Sequence, residues 1–216
     1  MRQFAVIGLG RFGVKVAMTL AGLGMPVIAI DKDARRIEQI ADHVSLAVRA
    51  DATDKKALGM AGIGSADVAV VALGDRMESS VLTTMLLKEM GIERIIVKGT
   101  GSEHGKILEL VGASQVVFPE EDMAERVAQR IISPNILDHI PLLPGYSIVE
   151  FLAPEQFWGK TILDLNLRRN FGVEVLVIRR GEEVTVIPSA LDSIGEGDTL
   201  VILGKDIDIE KLRKEE

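Results

Sequence analysis

The chain has 216 residues, 47% hydrophobic and 26% charged, so it can bury a sizeable core and is too apolar to be disordered. It has no cysteine, which excludes disulfides, thiol catalysis and cysteine-ligated zinc. A formal net charge of −7 argues against a general nucleic-acid binder, no run approaches the roughly 18 apolar residues of a membrane span, and the strand-like N-terminus leaves no room for a signal peptide.

In chain order, short Val/Ile-rich runs stand at 4–7, 27–30, 45–48, 68–72, 95–97 and 116–118. Segments of helical period, 12–23, 34–41, 77–90 and 104–110, lie between them, and a further helix is expected from near Lys55. Apolar runs without polar alternation mark strands covered on both faces. Six of them alternating with helices predict a Rossmann-like, doubly wound parallel α/β sheet over residues 1–133. A last helix, 122–132, leads away from it. Pro134, Pro141 and Pro144 then punctuate 134–145, which reads as a linker. The charge shifts at the same place: residues 1–133 hold 16 basic and 17 acidic side chains, residues 134–216 hold 9 and 15. Beyond the linker, 147–152, 173–178, 183–187 and 199–203 have strand character, 179–182 and 195–198 read as turns, and 162–169 and 207–214 as short helices. Residues 146–216 are therefore expected to form a small α+β module, near the lower size for an independent core.

Gly8-Leu9-Gly10-Arg11-Phe12-Gly13 is a G-x-G-x-x-G motif that follows a predicted strand and opens a predicted helix, the context that gives it meaning. Gly8 permits the tight turn, Gly10 lets a phosphate approach the backbone, and Gly13 lets the helix close on the strand. The helix N-terminus offers free N–H groups to an anion. Asp31 ends the second strand, about 20 residues on, where a carboxylate accepts bonds from both ribose hydroxyls and repels the 2′-phosphate of NADP. The competing reading is a cap for the next helix. Ala50-Asp51-Ala52-Thr53-Asp54 follows the third strand at the edge where ligands bind. Asp51 and Thr53 are placed for an adenine edge, while Thr53 or Asp54 equally suits a helix cap. The segment 73–79 either overlies ribose and phosphates or supplies acidic residues to a helix start. Arg11 serves a phosphate, its own or a neighbouring subunit's, or is solvated. Lys98 ends the fifth strand at the same edge. Glu120, Glu121 and Asp122 follow the sixth strand, as ligands for a hard divalent cation or as helix-starting acids. His43, His104 and His139 are not at metal-ligand spacing, and neither a nucleophile elbow nor H-E-x-x-H occurs.

The run 4–13, with Asp31, Asp51-Ala52-Thr53, the helix 82–89 and Phe118-Pro119-Glu120-Glu121-Asp122-Met123-Ala124, closely resembles KtrA/TrkA-type regulators. These are the cytosolic RCK subunits of bacterial potassium-uptake systems. Segments 146–150, 164–168, 171–173 and 197–202 resemble their C-terminal module, so the resemblance spans essentially the whole chain. One such unit per chain and the Arg-Phe form of the glycine loop look more like KtrA than the two-unit TrkA. Ala50 departs from the Gly that many of these domains carry. The resemblance implies a non-enzymatic gating subunit that binds ATP/ADP or NAD(H). It implies a homodimer assembled into an octameric ring on the cytoplasmic, inner face of the membrane, seated on a potassium-translocating subunit of KtrB/TrkH type. By position it implies nucleotide contacts from Gly8, Gly10, Arg11, Phe12, Gly13, Asp31, Lys32, Asp51, Ala52, Thr53, Gly74 and Lys98, with Arg11 reaching the γ-phosphate of a partner's nucleotide. It places Glu120 near a dimer-interface cation, Mg2+ or Ca2+, and Arg168, Asn170 and Pro188 in the region where relatives bind cyclic di-AMP. The small, acidic, histidine-poor second lobe suits a regulatory module better than a substrate domain. An NAD-dependent oxidoreductase is the alternative reading, and a stand-alone cyclic-dinucleotide receptor a third.

Overall fold

The computed structural model describes residues 2–74, 76–132 and 136–214, in two compact units, Met1–Pro119 and Glu120–Glu216. In the first unit β1 (Phe4–Ile7), β2 (Val27–Asp31), β3 (Leu46–Arg49), β4 (Val68–Val71), β5 (Arg94–Lys98) and β6 (Gln115–Val117) form one sheet. The order is β3-β2-β1-β4-β5-β6 and every pair is parallel. The crossovers are α1 (Arg11–Gly22), α2 (Ala34–Ile40), α3 (Lys55–Met60), α4 (Met77–Glu89) and α5 (Ser102–Leu110). The order reverses between β1 and β4, so the C-terminal ends of these strands flank a crevice where such sheets bind ligands.

Alternation along the strands explains the two cores. Ala5, Ile7, Ile28, Ile30 and Val71 pack on one face with Leu58 of α3, Leu87 of α4 and Leu108 of α5. Val6, Val27, Ala29 and Val70 pack on the other with Ala17 of α1 and Ile40 of α2. Coverage of both faces is why the strands read as continuous apolar runs. Two helix starts near the ligand edge are capped by side chains. Asp33 caps α2 by accepting the Arg35 N–H at 2.9 Å, and Asp54 caps α3 by accepting the Lys56 N–H at 2.8 Å.

In the second unit, which α6 (Pro119–Ile132) opens, β7 (Ile136–Leu143), β8 (Tyr146–Leu152), β9 (Glu174–Arg180), β10 (Glu183–Val186) and β11 (Thr199–Lys205) form an antiparallel sheet. Its order is β10-β9-β11-β8-β7. With α7 (Ile162–Leu165), α8 (Leu167–Phe171) and α9 (Asp206–Lys214) it encloses Val149, Phe151, Phe157, Leu167, Ile194 and Leu200.

Three expectations change here. The boundary between units falls at Pro119/Glu120, so α6 goes with the second unit and not with residues 1–133. Of the expected linker 134–145, residues 134 and 135 lie outside the described residues, and Ile136–Leu143 is a strand that turns at Pro144-Gly145 into β8. Pro141 is tolerated because β7 is an edge strand, where one side of the ladder needs no donor. The single helix expected over 162–169 is two, α7 and α8, broken at Asn166, whose φ of 44° is left-handed. Among the described residues, no helix is long and apolar enough to cross a membrane.

Candidate nucleotide-binding site

The site begins at the turn from β1 to α1. The Gly8 N–H donates to the Ile30 carbonyl at 2.8 Å, and the residue has φ +92°. A Cβ there would lie 2.5 Å from the Ala72 carbonyl oxygen. In the first turn of α1, a Cβ on Gly13 would stand 1.9 Å from the Gly8 carbonyl oxygen. These two glycines let α1 start directly on the end of β1. Gly10 is different: it caps α1, and a Cβ on it would meet no atom within 4 Å. Its carbonyl accepts the Val14 N–H at 2.9 Å, which leaves the Arg11, Phe12 and Gly13 N–H groups without intrahelical acceptors. No side chain caps this end and its first turn holds no acidic residue, so its partial positive charge is uncompensated from within. Phe12 packs its ring against the second core, while Arg11 beside it is exposed.

Asp31, only 4% exposed, ties β2 to that turn. Its Oδ2 accepts the Leu9 N–H at 2.7 Å and Arg36 Nη1–H at 3.2 Å, and its Oδ1 accepts the Asp33 N–H at 2.9 Å. Burial pushes its pKa upward, but the Asp33 and Leu9 amides and the Arg36 guanidinium together outweigh burial and hold the carboxyl below the ordinary range. Asp33 is the cap of α2, so Asp31 is not. The adjacent Lys32 is exposed, and its carbonyl accepts Arg49 Nε–H at 3.1 Å.

After β3, Asp51 Oδ1 accepts the Thr53 N–H at 2.9 Å and the Thr53 hydroxyl at 2.7 Å, a side-chain turn. The Thr53 hydroxyl, then its amide, hold the Asp51 carboxyl below its ordinary pKa against slight desolvation, with Lys32 and Arg76 assisting. Since Asp54 caps α3, neither Asp51 nor Thr53 is the cap. Ala52 between them is buried, and its carbonyl accepts the Thr83 hydroxyl of α4 at 3.0 Å. Asp31, Lys32, Asp51, Ala52, Thr53 and Arg76 line an open cleft at this sheet edge. Gly74, with φ +64°, makes the turn after β4, and Lys98 ends β5 at the same sheet edge; neither lines this cleft.

The other expected positions belong to the second unit. Glu120 is in the first turn of α6 with Glu121 and Asp122, where acids favour a helix start. Among the described residues no group of three metal-ligating side chains occurs. Arg168 pairs with Glu174 at 3.5 Å, and Asn170 Nδ2–H donates to the Leu165 carbonyl at 3.0 Å. Both are on α8, whereas Pro188 follows β10 just after Ile187, and no hydrogen bond or ion pair joins the three among the described residues. Two contributors escape the motif reading. Arg36 is detectable in the sequence as a cation one helical turn past Asp33. Thr83 is not, because its partner Ala52 lies 31 residues away.

Residues 4–119 match the TrkA-N domain and residues 147–215 the TrkA-C domain. The chain is 40% identical over 213 residues to Ktr system potassium uptake protein C of Bacillus subtilis (strain 168), covering 99% of this chain and 96% of that protein. It is 34% identical over 203 residues to Ktr system potassium uptake protein A of Vibrio alginolyticus, covering 94% and 92%. Among solved structures, the GsuK channel bound to NAD has a TM-score of 0.57 at 24% identity, covering 100% of this chain and 38% of that one. GsuK bound to ADP has a TM-score of 0.53 at 28% identity, covering 60% and 34%. The chain thus spans under half the length of these GsuK chains, but nearly the full length of the Ktr proteins. With both domains present in order, and relatives similar from end to end, the chain belongs to the TrkA-N/TrkA-C family of Ktr system potassium uptake proteins.

Proposed function

We propose that the chain is a nucleotide-sensing regulatory subunit of a potassium uptake system. It binds ATP/ADP or NAD(H) and controls a membrane subunit that moves the ion. One observation carries the reading: an uncapped α1 N-terminus behind Gly10 faces the same sheet edge as the buried, ionised Asp31. The free amides take the inner phosphates and Asp31 takes ribose hydroxyls. Lys32, Asp51, Ala52 and Thr53 border the base, while Gly74 and Lys98 stand on the phosphate side. The GsuK chain bound to ADP, at 28% identity, supports adenine nucleotides as the ligand class.

The reading is non-enzymatic, with nucleotide identity as the signal. ATP and ADP can switch the protein only by binding two of its states with different relative affinity. They differ by one phosphate, and Arg11, exposed in the first turn of α1, is its reader on its own or a partner's nucleotide. Homodimers assemble into an octameric ring on the cytoplasmic side of a KtrB/TrkH-type subunit. Exposed Leu82 and Met85 on α4 and Ile107 and Leu110 on α5 support burial against further copies. Mg2+ or Ca2+ at Glu120 and cyclic di-AMP at Arg168, Asn170 and Pro188 belong to the same reading.

The test is to identify the nucleotide retained by the purified protein and to titrate ADP, ATP and NADH. Saturable binding without turnover is expected. Oxidation of NADH by a small carbonyl would instead make the chain a dehydrogenase, and light scattering at the mass of one chain would refute the ring.

A further inference from the structure

A carboxylate has about four lone-pair directions for donors. At Asp31 three are taken, by the Leu9 N–H at 2.7 Å and Arg36 Nη1–H at 3.2 Å on Oδ2, and by the Asp33 N–H at 2.9 Å on Oδ1. The two amides are held by the glycine turn and the start of α2. The Arg36 donor is unlike them. It is the longest of the three and comes from a side chain 44% exposed to solvent. Its Nε also lies 4.0 Å from Asp33 Oδ2, while Asp33 Oδ1 is engaged in capping. Arg36 therefore has two carboxylates within reach, one buried and one at the surface.

A ribose presents two adjacent hydroxyls, and holding both takes two lone-pair directions on Asp31. Among the described residues one is open, and the other is held by Arg36. We propose that Arg36 is a specificity-determining gate on Asp31. Its guanidinium neutralises the buried carboxylate when no nucleotide is bound; a ribonucleotide completes its grip by displacing Arg36 toward Asp33. The proposal rests on the nucleotide reading of this site. An ionised carboxylate buried without a counter-charge is costly, so the site needs the guanidinium when no nucleotide is bound. The displacement is offset because the ribose hydroxyls take over the hydrogen bond that Arg36 gives up on Asp31, and Arg36 stays beside Asp33, 4.0 Å away, which Arg35 also approaches at 3.7 Å. A nucleotide that lacks one hydroxyl uses the open direction and need not displace Arg36. In the wild type, then, the gate blunts discrimination between ribose and deoxyribose.

The experiment titrates ADP and 2′-deoxy-ADP calorimetrically into the wild type, Arg36→Met and Arg36→Lys at matched salt. Losing the guanidinium weakens attraction to phosphate equally for both ligands, so the ratio of their dissociation constants isolates the gate. In Arg36→Met the preference for ADP over 2′-deoxy-ADP is expected to rise roughly three- to tenfold, the range for one net hydrogen bond. Arg36→Lys, which restores a cation beside Asp31, should return the ratio toward the wild-type value. Arg36→Met leaves the buried Asp31 carboxylate without its counter-charge and is expected to melt below the wild type, whereas Arg36→Lys keeps a cation there and should melt closer to it, so the titrations are run well below the lower Tm. An unchanged or smaller ratio in Arg36→Met overturns the gate and leaves the nucleotide reading standing. A wild-type protein that binds neither nucleotide overturns that reading and the gate with it.

Discussion

Gly10 and Gly13 belong to one motif, and the structure predicts opposite consequences for adding a methyl group to each. In Gly13→Ala the new Cβ would sit 1.9 Å from the Gly8 carbonyl oxygen and 3.3 Å from the Ala72 side chain. Gly8 cannot retreat easily. Its N–H is bonded to Ile30 at 2.8 Å, and its own Cβ direction is closed by the Ala72 carbonyl at 2.5 Å. Helix α1 must therefore lift off β1, an overpacking cost of about 1–3 kcal/mol or more. For a chain of this size each kcal/mol lowers Tm by about 2–4 °C. In Gly10→Ala the methyl meets nothing within 4 Å, and the backbone, at φ −70° and ψ −176°, is one that alanine adopts freely. Only the weaker capping preference of alanine remains, about 1 kcal/mol or less. Yet that methyl fills the approach to the free α1 amides, so ADP affinity should fall at least about tenfold, an energy of about 1.4 kcal/mol. Thermal melting without ligand and calorimetric titration with ADP read the two effects separately. Gly10→Ala that binds ADP like the wild type, or Gly13→Ala that melts like it, would refute the division of labour.

Asp31→Ala removes the ribose acceptor and leaves the buried Leu9 N–H unpaired; ADP affinity should drop roughly 10- to 150-fold, with about 1–3 kcal/mol lost from stability. Unchanged titration curves would exclude the ribose role. Arg11→Ala should leave ADP binding nearly unchanged and reduce the preference for ATP; an equal loss for both nucleotides, removed by salt, would reduce Arg11 to nonspecific attraction. In the second unit, fully buried Asp198 accepts two bonds from Arg180, at 2.8 and 2.7 Å, and one from the Gly195 N–H at 2.7 Å. The Arg180 bonds above all, with the Gly195 amide, hold its pKa below the ordinary carboxylate value against desolvation. A pKa lowered by folding means stabilisation that is complete above the unfolded value, about 4, and is lost as pH falls through the folded one. Asp198→Asn should therefore melt lower at pH 7 and lose less on acidification than the wild type, and parallel melting curves from pH 7 to pH 3 would contradict this.

Some of this architecture is written in short-range pattern. The central strands of the first unit are the most legible because β1, β2 and β4 are buried on both faces, which forces continuous Val/Ile runs such as Val27–Asp31 and Val68–Val71. The glycine turn and Asp31 are legible because the turn, the helix start and the strand end recur at nearly constant spacing. Other features depend on what the chain brings together from a distance. A residue type does not reveal that Gly8 and Gly13 press on backbone while Gly10 opens on free space; that depends on where Ala72 lies. Thr83 holds the Ala52 carbonyl because the fold brings α4 beside the loop after β3, 31 residues away in sequence. Pro141 and Pro144 read as a linker, yet 136–143 is a strand, because proline's missing donor matters only on the side of a strand that has a partner. Periodicity and spacing are properties of neighbours along the chain, so the sequence carries them; close contacts and hydrogen-bond partners are set by segments tens of residues apart, and only the packed fold determines which of them meet.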